Sequence, residues 1–422
     1  MNAYAQAQQL LREGRVAEAE QAYERLLQHS PDHVEALNVI ALAALQRRDC
    51  PRAVRMLEHA VAAHPQDFHS RFHLGRACDQ AGELPRALLE YERALQMDPS
   101  AYAARLYCAH ALDRSGERQR ALDYYVRALA MAQRQGRWLD PESTPANLRS
   151  MVEHAVRLVR DTKRAIADSV FCRLRAAYGE AQLTRVARAL RIYLREQVAH
   201  YPDPRQQPTF FYMEGLPPSP YLDRKLFPWI EALEAQAPAI REELLRLLPS
   251  SAGRERVFLS DEVERVNLRG EHASPGWNGY YFYRHGQRRD DNFAACPVTA
   301  VAIDALPLSR VSGHGPEVLY SVFTPGTHLL PHRGVTNTRL VGHLPLLVPR
   351  DCALNVGGEL HQWQNGRVVV FDDTYEHEAW NRSDQIRVVM IFDIWNPHLT
   401  EVERIAVAEL IAQMGALQPG DA

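Results

Sequence analysis

At 422 residues, with 46% apolar and 24% charged residues, the chain is too long for one ordinary domain and has the balance of a globular protein. A net charge of −3 gives no electrostatic footprint for DNA, RNA or anionic lipid, no apolar run is long enough to span a bilayer, and "MNAYAQAQQLLREG" lacks a signal-peptide profile. The six cysteines stand apart with no CxxC or metal spacing, so the expectation is a cytoplasmic protein with reduced thiols, no membrane span and no nucleic-acid partner.

The first third repeats itself every 34 residues. That shift aligns Pro31, Pro65 and Pro99, then Ala19, Ala53, Ala87 and Ala121, then Ala60, Ala94 and Ala128. It also aligns Ala7, Ala41, Gly75 and Ala109, the large column Tyr23, Leu57, Tyr91 and Tyr125, and the turn column Gly14, Arg48, Gly82 and Gly116. Small columns let helices approach closely and the large column fills the space between pairs. The pattern resembles the tetratricopeptide repeat, with about four copies over residues 2–133. Such a solenoid buries its core by stacking, and the resemblance implies a surface for a protein or peptide partner. A spacer that binds nothing is the plainer alternative.

Residues 134–205 stay helical but lose the register. "GRWLDPESTPANL" is a polar break with Pro145 in a loop, and two amphipathic helices follow, forming a connector. Residues 206–400 shift toward Pro, Gly and aromatic residues, and a last helix and tail occupy 401–422. After the helix "LFPWIEALEAQAPAIREELLRLL", short β-prone runs alternate with turns: "GWNGYYFYRHG", "EVLYSVFTPGTH", "TRLVGHLPLLVP", "CALNVGGELHQWQNGRVVVFDD" and "IRVVMIFDIWNP". Their spacing suggests a double-sheet jelly roll, that is, a double-stranded β-helix. "QNGR" reads as a type I′ hairpin between "ELHQW" and "VVVF". "EVERVNLRG", 262–270, reads as a solvated strand face, and Trp363, Trp380 and Trp395 as core or pocket wall.

His332 and His377 stand at strand ends, the first in "PHRG" and the second in "FDDTYEHE". Non-haem iron oxygenases use two histidines and a carboxylate on one face, yet the usual His-x-Asp carboxylate position here is Gly334. His328, four residues before His332, would share its strand face and reads as structural. Asp372 and Asp373 read as turn caps rather than ligands. Spacing alone leaves open whether the two histidines are ligands or packed side chains.

The strings "SVFTPGTHLLPHRGVTNTRLVGHLPLLVP", "VVVFDDTYEHEAWN" and "RVVMIFDIWNPHLT" resemble the aspartyl/asparaginyl β-hydroxylase family over roughly residues 206–400. The resemblance implies an Fe(II)- and 2-oxoglutarate-dependent dioxygenase that uses O2 and has glycine in place of the third ligand. It implies His332 and His377 as iron ligands and Arg387 as the clamp on the distal carboxylate of 2-oxoglutarate. It further implies Ser321 as a second hydrogen bond to that carboxylate, His343 as a wall of the cosubstrate pocket and Arg339 toward the substrate. Animal members carry a second arginine where this chain has Val341, which puts their substrate in doubt here. The implied reaction is hydroxylation of an aliphatic carbon of a peptide or protein side chain recruited by the repeats. A small molecule, a lipid acyl chain, or an interaction scaffold with an inactive jelly roll are the alternatives.

Overall fold

The computed structural model describes residues 3–249, 253–257, 267–270 and 276–415. They divide into two units, one up to Thr162 and the other from Lys163.

The first unit is a ladder of antiparallel helix pairs: α1 (Ala3–Arg12) with α2 (Val16–His29), α3 (Val34–Gln46) with α4 (Cys50–Ala63), α5 (Phe68–Gln80) with α6 (Leu84–Met97), and α7 (Tyr102–Arg114) with α8 (Arg118–Arg134). The small columns are fully buried between helices. At Gly75 a Cβ would lie 2.6 Å from the Tyr91 ring, so only glycine admits that tyrosine. The turn column has positive φ throughout, including 62° at Arg48, which is why glycine fills its other three positions. Trp138, Leu148, Val152 and Ala155 close the far end of this core, the last two from the first turns of α9 (Arg149–Tyr178).

In the second unit the later turns of α9 pack with α10 (Thr184–Tyr193) and the last helix, α14 (Glu401–Gly415). Between them, α11 (Ile230–Leu247), α12 (Asp290–Ala295) and α13 (Pro297–Asp304) accompany the strands β1 (Arg254–Arg256), β2 (Leu268–Gly270), β3 (Trp277–Arg284), β4 (Gln287–Arg288), β5 (Val318–Phe323), β6 (Thr327–His332), β7 (Arg339–Leu347), β8 (Cys352–Val356), β9 (Glu359–His361), β10 (Val369–Phe371), β11 (His377–Asn381) and β12 (Arg387–Trp395). A seven-stranded sheet runs β1-β3-β5-β12-β7-β10 with β4 paired to β3, and a five-stranded sheet runs β2-β6-β11-β8-β9. The pairings among these strands are antiparallel.

Strand alternation sorts the seven-stranded sheet into two faces. Val318, Tyr320, Val322, Leu340, Leu344, Val388, Met390 and Phe392 pack with α11 and α13. Phe323, Val341 and Val389 pack instead with Leu268, Leu329, Leu354 and Val356 of the other sheet. Ser321, Arg339, His343 and Arg387 keep the parity of that second set.

The expected hairpin at "QNGR" is overturned. β9 pairs with β8 and β10 with β7, so the segment crosses from one sheet to the other. Gly366 has φ +78 but Asn365 is not in the left-handed region, and its Oδ1 accepts from Val348 N at 2.9 Å. A type I′ turn needs both. Gly357 and Gly358, at φ +59 and +85, supply it between β8 and β9. Of "EVERVNLRG", residues 262–266 lie outside the described residues, and the remainder gives β2, with Leu268 buried and Arg269 and Gly270 exposed. Among the described residues all six cysteines are free, and no helix is long and apolar enough to cross a membrane.

Candidate active site between the two sheets

His332 on β6 stands directly opposite His377 on β11, with ring centroids 4.1 Å apart. Strict alternation would have turned His332 away from Leu329, which faces the inter-sheet core. A bulge intervenes: β6 advances three residues between Leu329 and His332 while β11 advances two between Ala379 and His377. The extra residue re-aims the side chain, and Pro331, which cannot donate to a ladder, is its sequence signature. The bulge also corrects the expectation that His328 shares the face of His332. His328 pairs with Glu378 at 2.8 Å and packs edge-on against Trp380.

The two imidazoles are held alike. Each Nδ1 sits against the carbonyl oxygen two residues earlier, Leu330 at 2.9 Å and Tyr375 at 3.0 Å. A carbonyl only accepts, so each Nδ1 carries a proton, which leaves Nε2 as the ring nitrogen able to take a ligand. Burial, with His332 beside it, pushes His377 down to about 4, so its ring is neutral at ordinary pH.

Gly334 has a steric reason. A Cβ there would lie 2.1 Å from Cγ of Asp373, so the Asp373 carboxylate fills the space a side chain at 334 would need. Asp373 is itself paired with Arg339, whose Nη1 donates to Asp393 at 3.0 Å. Arg339 is thus clasped by two carboxylates rather than left open toward the cleft. Asp372 caps the turn before His377 by accepting from Thr374 N at 2.9 Å and Thr374 Oγ1 at 2.5 Å. Among the described residues no set of three His, Cys, Asp or Glu side chains converges as a metal cage.

Deeper between the sheets lies Arg387, only 1% exposed. Its guanidinium is sandwiched by Phe323 at 4.4 Å and Trp363 at 4.2 Å, and Nη1 donates to Ser321 Oγ over a long 3.4 Å. It has no carboxylate partner among the described residues, and Nε is buried without a hydrogen-bond partner. Burial pulls this guanidinium down to about 9. His343 sits alongside, its ring 5.0 Å from Phe371 and 5.8 Å from Trp363, with Nδ1 buried and unpaired. Burial, with Arg387 next, pushes it well below its ordinary value. A desolvated cation with unsatisfied donors is a receptor for an anion. Sequence reasoning named this arginine but not the Phe323–Trp363 sandwich, since the two rings come from strands and loops far apart in sequence. A cleft of about 470 Å³ opens beside His377, lined by Arg205, Arg333, Asn355, Glu376 and Glu378 with glycines and prolines.

Residues 234–397 match the aspartyl/asparaginyl beta-hydroxylase family model. The second unit carries a domain of that family. Residues 4–49, 39–102 and 106–137 match tetratricopeptide models, so the hydroxylase-family domain follows a repeat array. The human aspartyl/asparaginyl beta-hydroxylase is 30% identical over 202 residues, 47% of this chain and 25% of its own length. The ornithine lipid ester-linked acyl 2-hydroxylase of Rhizobium tropici is 35% identical over 182 residues, 42% of this chain and 61% of its own. The chain therefore spans less than two thirds of either relative. Among solved structures, MamA from Desulfovibrio magneticus RS-1 aligns with 32% of this chain and 75% of its own at 21% identity and a TM-score of 0.30.

Proposed function

We propose that the second unit is an Fe(II)- and 2-oxoglutarate-dependent dioxygenase that hydroxylates an aliphatic carbon of a peptide or protein side chain, with the repeats recruiting the substrate or its carrier. The two sheets read as the double-stranded β-helix such an enzyme uses, within residues 206–400. What supports the reading is a buried, carboxylate-free Arg387 on one sheet together with a pair of histidines, each held through Nδ1, on the other.

The residues suit both groups. His332 and His377 would hold Fe(II) through Nε2, and Arg387 with Ser321 would hold the distal carboxylate of 2-oxoglutarate. When bound, the iron supplies the activation of O2, coupled to conversion of 2-oxoglutarate into succinate and CO2, that inserts oxygen into an unactivated C–H bond. The protein orients and excludes water. Leu330 and Tyr375 carbonyls fix both rings, while Phe323, Trp363 and His343 wall the cosubstrate pocket. Arg339 is a positioning residue in this reading, because its charge is spent on Asp373 and Asp393.

The rhizobial relative makes an acyl chain the second reading. The cleft favours the first: none of its lining residues is a large aliphatic side chain, whereas each buried methylene of an acyl chain needs apolar wall to gain about 0.8 kcal/mol.

The test needs no substrate. Fe(II) and then 2-oxoglutarate are added anaerobically and the visible charge-transfer band of the chelated keto acid is recorded. The band should vanish in His377→Ala and weaken in Arg387→Ala. Absence of the band with iron demonstrably bound would reject the cosubstrate assignment.

A further inference from the structure

Residues 203–211 lie upstream of the segment that matches the hydroxylase family, which begins at 234. They form a strap, opening with a turn in which Gln206 N donates to Asp203 O at 3.1 Å, across the two chain segments that carry the histidines. On the His377 side, Gln206 bridges to Tyr375 and Gln207 N donates to Thr374 O at 3.0 Å. The buried Gln206 side chain donates from Nε2 to Asp372 Oδ2 at 2.6 Å. Tyr375 is gripped twice more: its hydroxyl donates to Asp203 Oδ2 at 3.2 Å, and the Arg205 guanidinium lies 5.6 Å from its ring centroid. The carbonyl of this same Tyr375 receives Nδ1–H of His377.

On the His332 side, Thr209 N donates to Gly334 O at 3.0 Å, and Phe210 N and Phe211 N both donate to Val335 O. Arg333 Nη1 donates back to Arg205 O at 2.9 Å. Gly334 N then donates to Asp373 O at 2.7 Å, tying the two segments to each other. The strap's far end is anchored. Phe211 and Met213 are fully buried in the core built by α9, α10 and α14, and Met213 exchanges two 2.9 Å hydrogen bonds with the side chain of Asn337.

We propose that residues 203–211 are a positioning element of the metal centre, fixing the Tyr375 backbone on one side and the Gly334 backbone on the other so that His377 and His332 present Nε2 to the same point. This rests on the metal reading above. A carbonyl that orients a ligand histidine sets its tautomer and ring angle, and loss of such outer partners typically weakens metal affinity by about 10–100-fold. The strap acts one step further out, by holding that carbonyl.

The experiment titrates Co(II) into the full chain by calorimetry, for the native protein, Gln206→Ala, the double variant Asp203→Ala/Arg205→Ala, and His377→Ala. Far-UV circular dichroism and urea midpoints check that each is folded. The expected result is native binding that is lost in His377→Ala and weakened at least tenfold in Gln206→Ala and in the double variant, with secondary structure unchanged. A merely stabilising strap would move the urea midpoint and leave the affinity alone, and that outcome overturns the proposal. Should Gln206→Ala not fold, the double variant decides alone, since Arg205 is exposed and Asp203 partly so. Native Co(II) binding that is absent, or indifferent to His377→Ala, overturns the metal reading itself and the strap's role with it.

Discussion

On the proposed reading, the effect of Arg387→Met on stability should change sign between the protein without and with 2-oxoglutarate. The guanidinium is 1% exposed and faces no carboxylate among the described residues. Burial of an unpaired charge costs several kcal/mol even after relaxation. Two ring contacts return about 0.5–2 kcal/mol each, and the long bond to Ser321 about 1 kcal/mol at most. The remainder is a net cost, so a methionine of similar reach should raise the unfolding free energy by about 1–2 kcal/mol without ligand. For a unit of this size that is about 2–8 °C in Tm. With divalent metal and 2-oxoglutarate at a hundredfold over the native Kd, the native protein gains about 2.7 kcal/mol and the variant, binding the diacid far more weakly, only a small part of that, so the order inverts. Thermal melts with and without 2-oxoglutarate, at fixed metal, read both halves. A variant less stable than the native protein in the absence of 2-oxoglutarate would refute the claim that this cation waits for an anion.

Three further outcomes are expected. Gly334→Ala forces a Cβ into the Asp373 carboxylate and breaks its pairing with Arg339, which should cost about 3–5 kcal/mol in urea unfolding; Gly334→Asp should fail likewise, adding no third ligand. His328→Ala should leave Co(II) affinity within about twofold while His377→Ala abolishes it, because only the latter faces inward. In the repeats, burial with Arg76 beside it holds His73 down to about 4. The folded ring takes its proton later than the unfolded one, so stability is full above about 6.5 and falls as pH drops toward 4, by about 2 kcal/mol after allowance for partial exposure. His73→Leu should flatten that slope in urea titrations between pH 7 and 4.

The repeats were legible because their information is local and periodic: of the columns that align at 34 residues, the alanine and tyrosine/leucine ones are buried between helices and the glycine and proline ones punctuate the turns. The longer strands were legible from composition; His332 stands against His377, and Arg387 against Ser321, with His343 packed on Phe371 between the sheets. What escaped depends on pairing between distant segments. A one-residue bulge at Leu330–Pro331 decides which way His332 points, and no alternation pattern announces it. β11 is short and polar, and the "QNGR" turn chemistry was real at Gly366 yet joined strands of different sheets. A boundary at 206 cuts the strap, because a segment without periodicity reads as linker until its hydrogen bonds are counted.

The sharing of residues between layers has one more consequence. The histidines belong to the five-stranded sheet and the arginine, serine and third histidine to the seven-stranded one. On the proposed reading, a chain whose layers have parted can grip a metal ion or an organic diacid, but not the two against each other. On that reading a misfolded or half-made copy would lack the means to consume oxygen idly, because the pairing of the two layers would itself be the condition for turnover.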